Sequence, residues 1–257
     1  MDIVSEVVEH GVVERRIDLN AGTEVVPGIH WLPEVPTASH PTVLVGHGGT
    51  QDKRAPNVLA LARTLVRHLG VGVVALDAPE HGDRISDPDA ASKVRRGLEQ
   101  RLGADAEGGR RGVSKAWAER LAARIPGHVL EWKTLLDDLE QEPAWAHGPF
   151  GYWGLSMGTS HGLPLVAGEP RIAAAVLGLN ALRSAEDPQA RLAADITVPV
   201  LFLLQSDDEL MTRDAGIAMW DALGSVDKSL HLNPGGHIDV PRFERAAAEH
   251  FFRRHLL

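Results

Sequence analysis

Cysteine is absent from the 257 residues, which excludes thiolate nucleophiles, cysteine-ligated zinc sites and iron–sulfur clusters. Positive charge is scarce as well, because 26 Lys and Arg stand against 35 Asp and Glu, for a formal net charge of -9. This balance argues against general binding to nucleic acid or to anionic membrane surfaces. The remaining composition, with 44% apolar residues, is sufficient for the core of one large domain.

Segments for secretion or membrane insertion are also missing. The first eleven residues carry Asp2, Glu6 and Glu9 where a signal peptide would have a basic stretch followed by an apolar one. The longest uncharged apolar run, at residues 172–182, is too short to cross a bilayer. These absences predict a cytoplasmic protein that does not associate with a membrane.

Hydrophobic periodicity predicts an α/β fold, in which a mostly parallel sheet carries helices on both faces. An antiparallel hairpin is expected at the start of this sheet, over residues 12–19 and 24–32. The apolar runs typical of buried strands lie at 42–46, 71–76, 150–155, 172–179, 198–204 and, more weakly, 228–232. Helices are predicted at 56–68, 129–141, 157–167, 187–194, 213–223 and 240–255.

Residues 84–127 interrupt this alternation, because they contain no strand pattern. Two thin apolar stripes at helical spacing occur among them, namely Val94, Leu98, Leu102 and Val113, Trp117, Leu121. Such stripes must dock on another surface, so we expect a small helical cap inserted into a single domain spanning 1–257, with Trp117 as a candidate pocket residue. The insert holds ten Lys or Arg against six Asp or Glu. It therefore suits a solvated hairpin, a cap that attracts anionic substrates, or a dimer contact.

A Gly-x-Ser-x-Gly pattern occurs at Gly154, Ser156 and Gly158, directly after a predicted strand and before a predicted helix. The bare pattern is common, but this strand–turn–helix context is the one that a nucleophile elbow requires. Glycines on both sides let the strand and helix backbones approach each other while the serine is held exposed at the turn. Ser156 is therefore the candidate nucleophile, and a helix-capping serine is the alternative.

A serine hydroxyl needs a histidine to take its proton and an acid to orient that histidine. Candidates for both follow later strands: Asp207 and Asp208 come after residues 198–204, and His237 comes after the last strand in a Gly-Gly-His sequence. We favour Asp208 as the acid, with Asp207 as the alternative. The chain order of Ser156, Asp208 and His237 is the order associated with an α/β-hydrolase sheet.

An oxyanion formed during acyl transfer needs two hydrogen-bond donors. The backbone N–H of Met157, at the start of the helix after the serine, is one candidate. The second is expected from the glycine-rich turn after the strand at 42–46, where we assign the N–H of Gly49. His47, at the start of the same turn, is expected to support the pocket by hydrogen bonding and not to act as a catalyst.

The sequence Asp-Ala-Pro-Glu-His-Gly at 77–82 resembles the D-x-P-x-H-G segment of dienelactone hydrolase-like and prolyl-oligopeptidase-type esterases. Together with the serine, acid and histidine, it marks a chain that resembles the α/β-hydrolase family over almost its whole length. Family members more often have glycine where this chain has Glu80. The resemblance implies that His81 is a structural residue near the site. Glu80 is either a salt-bridged structural carboxylate or a pocket residue that binds a cation or tunes a pKa.

These observations predict a serine hydrolase that cleaves small to medium carboxylic esters through an acyl-enzyme, with no cofactor and no metal. Because dienelactone hydrolases use a cysteine nucleophile, that particular activity is not implied. The same residues would also suit a peptidase, a thioesterase, a lactonase or a carbon–carbon bond hydrolase. An idle scaffold that senses a ligand or binds another protein is the alternative from a different class. The expected partner is a small-molecule ester, and homo-oligomerisation stays open.

Overall fold

The computed structural model describes residues 1–22, 24–35, 40–102, 119, 122–142, 148–184 and 186–257. Part of the predicted insert lies outside these ranges. The candidate pocket residue Trp117 and its neighbours in the second stripe, Val113 and Leu121, are among the residues that are not described.

The chain opens with three antiparallel strands: β1 (Asp2–Glu9), β2 (Val12–Ala21) and β3 (Glu24–Pro33). The predicted hairpin is confirmed, since β2 and β3 pair in continuous register from Val12 opposite Pro33 to Ala21 opposite Glu24. Strand β1 is an addition that the sequence analysis missed. All eight of its residues are exposed, and it pairs only with β2, so it forms one edge of the sheet.

The remaining strands are β4 (Thr42–Gly46), β5 (Gly72–Leu76), β6 (Phe150–Leu155), β7 (Ile172–Gly178), β8 (Val200–Gln205) and β9 (Lys228–Asn233). All six predicted strands are confirmed; the ranges 42–46 and 150–155 are unchanged, and the other four strands have ends shifted by one or two residues. Together the nine strands form one sheet in the order β1-β2-β3-β5-β4-β6-β7-β8-β9. Strands β5, β4 and β6 to β9 run parallel to one another, whereas β3 is antiparallel to β5.

Seven α-helices lie within the described residues: α1 (Pro56–Leu69), α2 (Pro88–Leu102), α3 (Ile125–Gln141), α4 (Met157–Gly168), α5 (Pro188–Asp195), α6 (Arg213–Ala222) and α7 (Phe243–Leu256). Local signals set several of their starts. Proline occupies the first turn of α1, α3 and α5, where its missing N–H costs no hydrogen bond. The side chains of Asp187 and Thr212 cap α5 and α6. Helix α3 begins four residues before its predicted start at Val129.

Two hydrophobic clusters cover opposite faces of the sheet, as expected for a sheet with helices on both sides. On one face, Trp132 of α3, Leu163 of α4 and Met219 of α6 pack over Tyr152 and Phe202. On the other face, residues of α1 and α7, including Leu65 and Phe252, pack over Trp31, Val73 and Val176. This arrangement confirms the predicted α/β class.

The parallel strands all point their carboxyl ends to one edge of the sheet, where the loops carrying the candidate residues follow. Gly46 at the end of β4 lies opposite Gly154 near the end of β6, so the turns after these two strands are neighbours. No helix within the described ranges has both the length and the hydropathy of a membrane span. A cytoplasmic location stays a prediction.

Candidate active site

Ser156 forms the turn between β6 and α4, with φ 58° and ψ -116°. A non-glycine residue in this left-handed region costs about 1–3 kcal/mol, and such strain is typical of functional turns. The flanking glycines are needed for space, because a Cβ on Gly154 would lie 2.7 Å from the backbone of Gly158. A Cβ on Gly158 would collide with the carbonyl of Gly46 in the neighbouring strand. The local geometry is that of the predicted nucleophile elbow.

The buried hydroxyl groups of Tyr152 and Thr159 stabilise this turn through hydrogen bonds to the main chain. Tyr152 donates its hydroxyl hydrogen to the carbonyl of Gly158 over 2.6 Å. The hydroxyl of Thr159 lies 2.7 Å from the carbonyls of both Gly154 and Gly178, and it accepts the N–H of Gly178 over 2.9 Å. The sequence analysis did not identify these residues, since nothing in the local pattern distinguishes them from other core positions.

His237 connects the serine to a carboxylate. The hydroxyl of Ser156 lies 2.9 Å from Nε2 of His237, and Nδ1 of the same ring lies 2.7 Å from Oδ2 of Asp208. Because a carboxylate only accepts, Nδ1 carries the hydrogen and Nε2 presents a lone pair to the serine. The other oxygen of Asp208 accepts the N–H groups of Leu210 and Met211, at 2.8 and 3.2 Å. The carboxylate is thus fixed in place and almost fully buried.

Asp207, the alternative acid, has a different set of partners. Its carboxylate is exposed and accepts the N–H of Gly235 over 3.0 Å and the hydroxyl of Ser206 over 2.9 Å. The hydrogen bond from Gly235 is the main cause that holds the pKa of Asp207 below its ordinary value. Of the two neighbouring carboxylates, Asp208 is therefore the one that contacts the histidine ring.

Glu209 adds a third carboxylate to this contact, which the sequence analysis did not predict. Its Oε2 accepts the backbone N–H of His237 over 2.8 Å. Asp207, Asp208 and Glu209 thus hold, in turn, the N–H of Gly235, the ring of His237 and the N–H of His237. The run of three acidic residues after β8 was the available signal.

The two predicted oxyanion donors lie side by side at the edge of a cavity. A Cβ built on Gly49 would lie 3.9 Å from the Cβ of Met157, and both residues line the cavity. The N–H of Gly48 is occupied, since it donates to Oε1 of Gln51 over 3.1 Å. Neither the N–H of Gly49 nor that of Met157 donates to another of the residues that the structure describes. Both donors are therefore open to a bound oxyanion.

His47 joins the glycine-rich turn to the 77–82 segment, and the centroids of its ring and of the His81 ring lie 5.3 Å apart. The Nδ1–H of His47 donates to the carbonyl of Gly48 over 2.9 Å, and its Nε2 accepts the N–H of Ala78 over 3.0 Å. Burial lowers the pKa of His47 to about 3 and lowers that of His81 as well. His81 donates from Nδ1 to the carbonyl of Pro79 over 2.9 Å and lines the cavity, whereas His47 lies behind the lining.

An ion pair between Asp77 and Lys53 also holds the 77–82 segment in place. The carboxylate of Asp77 has no exposed surface and accepts the N–H of Lys53 over 3.0 Å, its ammonium over 2.5 Å, and the N–H of Asp83 over 2.9 Å. Lys53 also contacts the carboxylate of Asp83 over 2.8 Å. This buried network explains the aspartate at the head of the 77–82 motif as an anchor for the loop.

Glu80 has φ 62°, in the left-handed region that glycine adopts without strain. A glycine, which the family resemblance implies for this position, would adopt this backbone conformation without strain. The carboxylate of Glu80 is fully buried, and its oxygens lie 2.8 Å from the hydroxyl of Ser86 and 3.2 Å from the guanidinium of Arg124. Glu80 also belongs to the lining of the cavity.

The cavity beside Ser156 and His237 has a volume of about 970 Å³. Its floor is apolar, with Trp153, Leu155, Leu179, Leu203 and Leu210. One wall is helix α2, which contributes Ala91, Val94, Arg95, Leu98, Arg101 and Leu102. The first predicted stripe of the insert, Val94, Leu98 and Leu102, thus faces the cavity. Among the described side chains, no group of three or more His, Asp or Glu is arranged to hold a metal ion.

Comparison with known proteins gives strong structural similarity. A cold-adapted esterase from an Arctic intertidal metagenomic library, bound to polyethylene glycol, matches with a TM-score of 0.80 and 33% sequence identity over 100% of both chains. No protein-family model and no curated protein matches the sequence.

More distant structures share the fold alone. Acetyl xylan esterase from Paenibacillus sp. R4 matches with a TM-score of 0.72 and 15% identity, over 99% of this chain and 88% of that one. Dienelactone hydrolase from Anabaena variabilis ATCC 29413 matches with a TM-score of 0.64 and 18% identity, over 96% of this chain and 100% of that one.

Proposed function

Because the chain belongs to the α/β-hydrolase family, among its dienelactone hydrolase-like esterases, we propose that it is a serine esterase that cleaves carboxylic esters through an acyl-enzyme. The observation that carries this proposal is the continuous path of hydrogen bonds from Ser156 through His237 to Asp208, with distances of 2.9 and 2.7 Å. In this path Nε2 of His237 faces the hydroxyl of Ser156 and Nδ1 faces the carboxylate of Asp208, which is the arrangement that a general base requires.

In the first half of the reaction, Ser156 Oγ attacks the ester carbonyl while its proton passes to Nε2 of His237. The carbonyl oxygen becomes an oxyanion and accepts hydrogen bonds from the N–H groups of Gly49 and Met157. The tetrahedral intermediate then collapses. Its carbon–oxygen bond to the alcohol breaks, and the departing oxygen takes the proton from Nε2. The product of this half is an alcohol and an acyl group on Ser156.

In the second half, a water molecule replaces the alcohol. His237 takes a proton from the water as its oxygen attacks the acyl carbonyl, and the same two amides hold the new oxyanion. Collapse returns the proton to Ser156 Oγ and releases the carboxylic acid. Asp208 stays ionised throughout and stabilises the imidazolium that forms twice in each cycle.

The volume and the lining of the cavity support the proposal that the substrates are esters of small to medium acyl groups. Its volume of about 970 Å³ is at the upper end of the range for small-molecule sites. The leucines and the tryptophan of the floor would contact an aliphatic or aromatic acyl group, which gains free energy from leaving water. The apolar part of the lining therefore supports a carboxylesterase activity, and the same cavity also contains the charged side chains of Arg95, Arg101, Arg242 and Arg245.

The decisive experiment is reaction with a fluorophosphonate probe followed by peptide mapping, alongside turnover of p-nitrophenyl esters. We expect a label on Ser156 and ester hydrolysis, both lost in Ser156→Ala. Ser160→Ala is the matched control, because Ser160 lies one helical turn away and contacts the side chain of Asn180 over 3.0 Å. An unlabelled wild-type protein, or a Ser156→Ala variant with undiminished turnover, would refute the proposal.

A further inference from the structure

The backbone at Glu80 has a conformation that its side chain makes unfavourable. With φ 62°, the position suits glycine, and a residue with a Cβ is strained there. The strain is tolerated where the side chain makes contacts that glycine cannot supply. The contacts of the Glu80 carboxylate are therefore the reason to expect a specific role for this side chain.

The carboxylate contacts both ends of the insert. Ser86, two residues before α2, donates its hydroxyl to Oε1 and Oε2 over 2.8 Å, and its N–H to Oε2 over 3.2 Å. Arg124, directly before α3, places its guanidinium 3.2 Å from Oε1. Ser86 lies near the start of the insert at residues 84–127 and Arg124 lies near its end, so a single side chain contacts described residues close to both ends of the insert.

The position of the insert matters because its first helix, α2, is a wall of the cavity. Six residues of α2 line the cavity, among them the apolar Val94, Leu98 and Leu102. None of the α2 residues is buried, and α2 lines the same cavity as residues of β6 and β8. The contact between Glu80 and Ser86 lies at the N-terminal end of α2, where it holds the start of the helix.

We propose that Glu80 is a specificity-determining residue, which fixes the insert at the cavity by clamping Ser86 and Arg124 with one buried carboxylate. Its effect reaches the substrate through α2, so it acts as a positioning residue and takes no part in bond making. This inference rests on the proposed esterase function of the cavity. We expect the clamp to strengthen the binding of long acyl chains, which extend to α2, and to leave the binding of an acetyl group unchanged.

The first test compares p-nitrophenyl octanoate with p-nitrophenyl acetate in Glu80→Gly, which relieves the backbone and removes the clamp. We expect KM for the octanoate to rise about three- to tenfold, while KM for the acetate and kcat for both esters change little. The variant loses contacts that bind the long acyl chain equally in the ground state and in the transition state, and such a loss raises KM without changing kcat. Glu80→Gln keeps an acceptor for Ser86 and loses the charge opposite Arg124, so its KM should be intermediate. Equal changes for both esters, or no change for either, would overturn the proposal.

The second test does not depend on turnover. Amide hydrogen exchange of α2 should become faster in Glu80→Gly, and also in Ser86→Ala and Arg124→Ala, each of which removes one side of the clamp. If Glu80→Gly does not fold, the latter two variants carry the test. Unchanged exchange in α2 would refute the clamp even if the esterase proposal holds, and faster exchange would support it even if wild-type protein hydrolyses neither ester.

His10→Gly is the matched control for strain. His10 also has a left-handed backbone, with φ 51°, but it lies in the exposed turn between β1 and β2. We expect this variant to leave both the octanoate-to-acetate KM ratio and the exchange of α2 at wild-type values. A change in either would mean that relief of backbone strain alone explains the result at Glu80.

Discussion

The carboxylate of Glu209 accepts the backbone N–H of His237 over 2.8 Å. Asp208, the preceding residue, contacts the ring of the same histidine. The loop after β8 therefore forms hydrogen bonds with both the main chain and the side chain of His237. A histidine that must take and return a proton in every cycle benefits from such a fixed position, since small displacements of a catalytic group cost rate.

The contact between Glu209 and His237 can be tested with a pair of substitutions. We expect Glu209→Ala to lower kcat about tenfold, because the histidine loop loses an ionic acceptor whose hydrogen bond is worth about 1.5–3 kcal/mol. Glu209→Gln keeps an oxygen acceptor and should recover most of the rate. Steady-state kinetics on p-nitrophenyl acetate, with melting temperatures for both variants, provide the check. A lower melting temperature with an unchanged kcat would assign Glu209 to stability alone.

Replacement of the two neighbouring aspartates should separate their roles. Asp208→Asn removes the charge that stabilises the imidazolium. Because the N–H groups of Leu210 and Met211 would hold the remaining amide oxygen, the amide NH2 would face Nδ1 and favour the wrong tautomer, so kcat should fall by about four orders of magnitude. Asp207→Asn retains an oxygen for the N–H of Gly235 and should stay within about threefold of wild type. Burst kinetics and kcat on one ester measure both effects. Comparable losses in the two variants would contradict the assignment of Asp208.

Proline in place of Gly49 removes the amide hydrogen, and alanine at the same position controls for an added side chain. Gly49→Pro lacks the N–H, and we expect kcat to fall by about 10²–10³, the usual effect of losing one oxyanion donor. Gly49→Ala keeps the N–H, and its Cβ would meet no atom closer than 3.9 Å, so it should remain active. Circular dichroism of both variants checks folding. Loss of activity in the alanine variant as well would point to crowding and not to the donor.

Acid sensitivity should come partly from buried histidines. Burial, with a smaller contribution from Arg15, lowers the pKa of His30 in β3 to about 3, whereas an unfolded chain binds this proton near pH 6.5. Between these values the unfolded state binds more protons than the folded one. The free energy of unfolding therefore falls as the pH drops from about 6.5 towards 3.

Urea unfolding at pH 7, 6 and 5 measures this slope. We expect His30→Gln to flatten it by about 1 kcal/mol per pH unit. His10→Gln, at an exposed position, is the control and should retain the wild-type slope. If His30→Gln destabilises the protein equally at all three pH values, the acid sensitivity has another origin.

Strand order in the sequence indicates where the candidate site residues lie. Ser156, Asp208 and His237 each lie on the loop after a strand that apolar runs reveal, and parallel strands bring those loops to one edge. The choice between Asp207 and Asp208 needs the structure, because adjacent residues on a loop point in directions that no periodicity encodes.

Two features escape the sequence for physical reasons. In β1 the apolar residues occur in neighbouring pairs, Ile3 with Val4 and Val7 with Val8, since both faces are exposed and a register shift separates Ile3 from Ser5. An alternating pattern is therefore absent. For Glu80 the sequence indicates a salt-bridged carboxylate as one of two interpretations but not its partner, because Arg124 is distant in the chain and contacts Glu80 only in the folded state.

The register of β4 and β6 has a consequence for how such an enzyme can be altered. Gly46 and Gly154 are opposed in adjacent strands, so the spacing of the two amide donors that follow is set by main-chain pairing. One wall of the cavity comes from another part of the chain, helix α2. Directed evolution of the insert should therefore shift substrate range through many changes while the bond-breaking apparatus stays intact, whereas Gly46, Gly154 and Gly158 should tolerate no side chain at all.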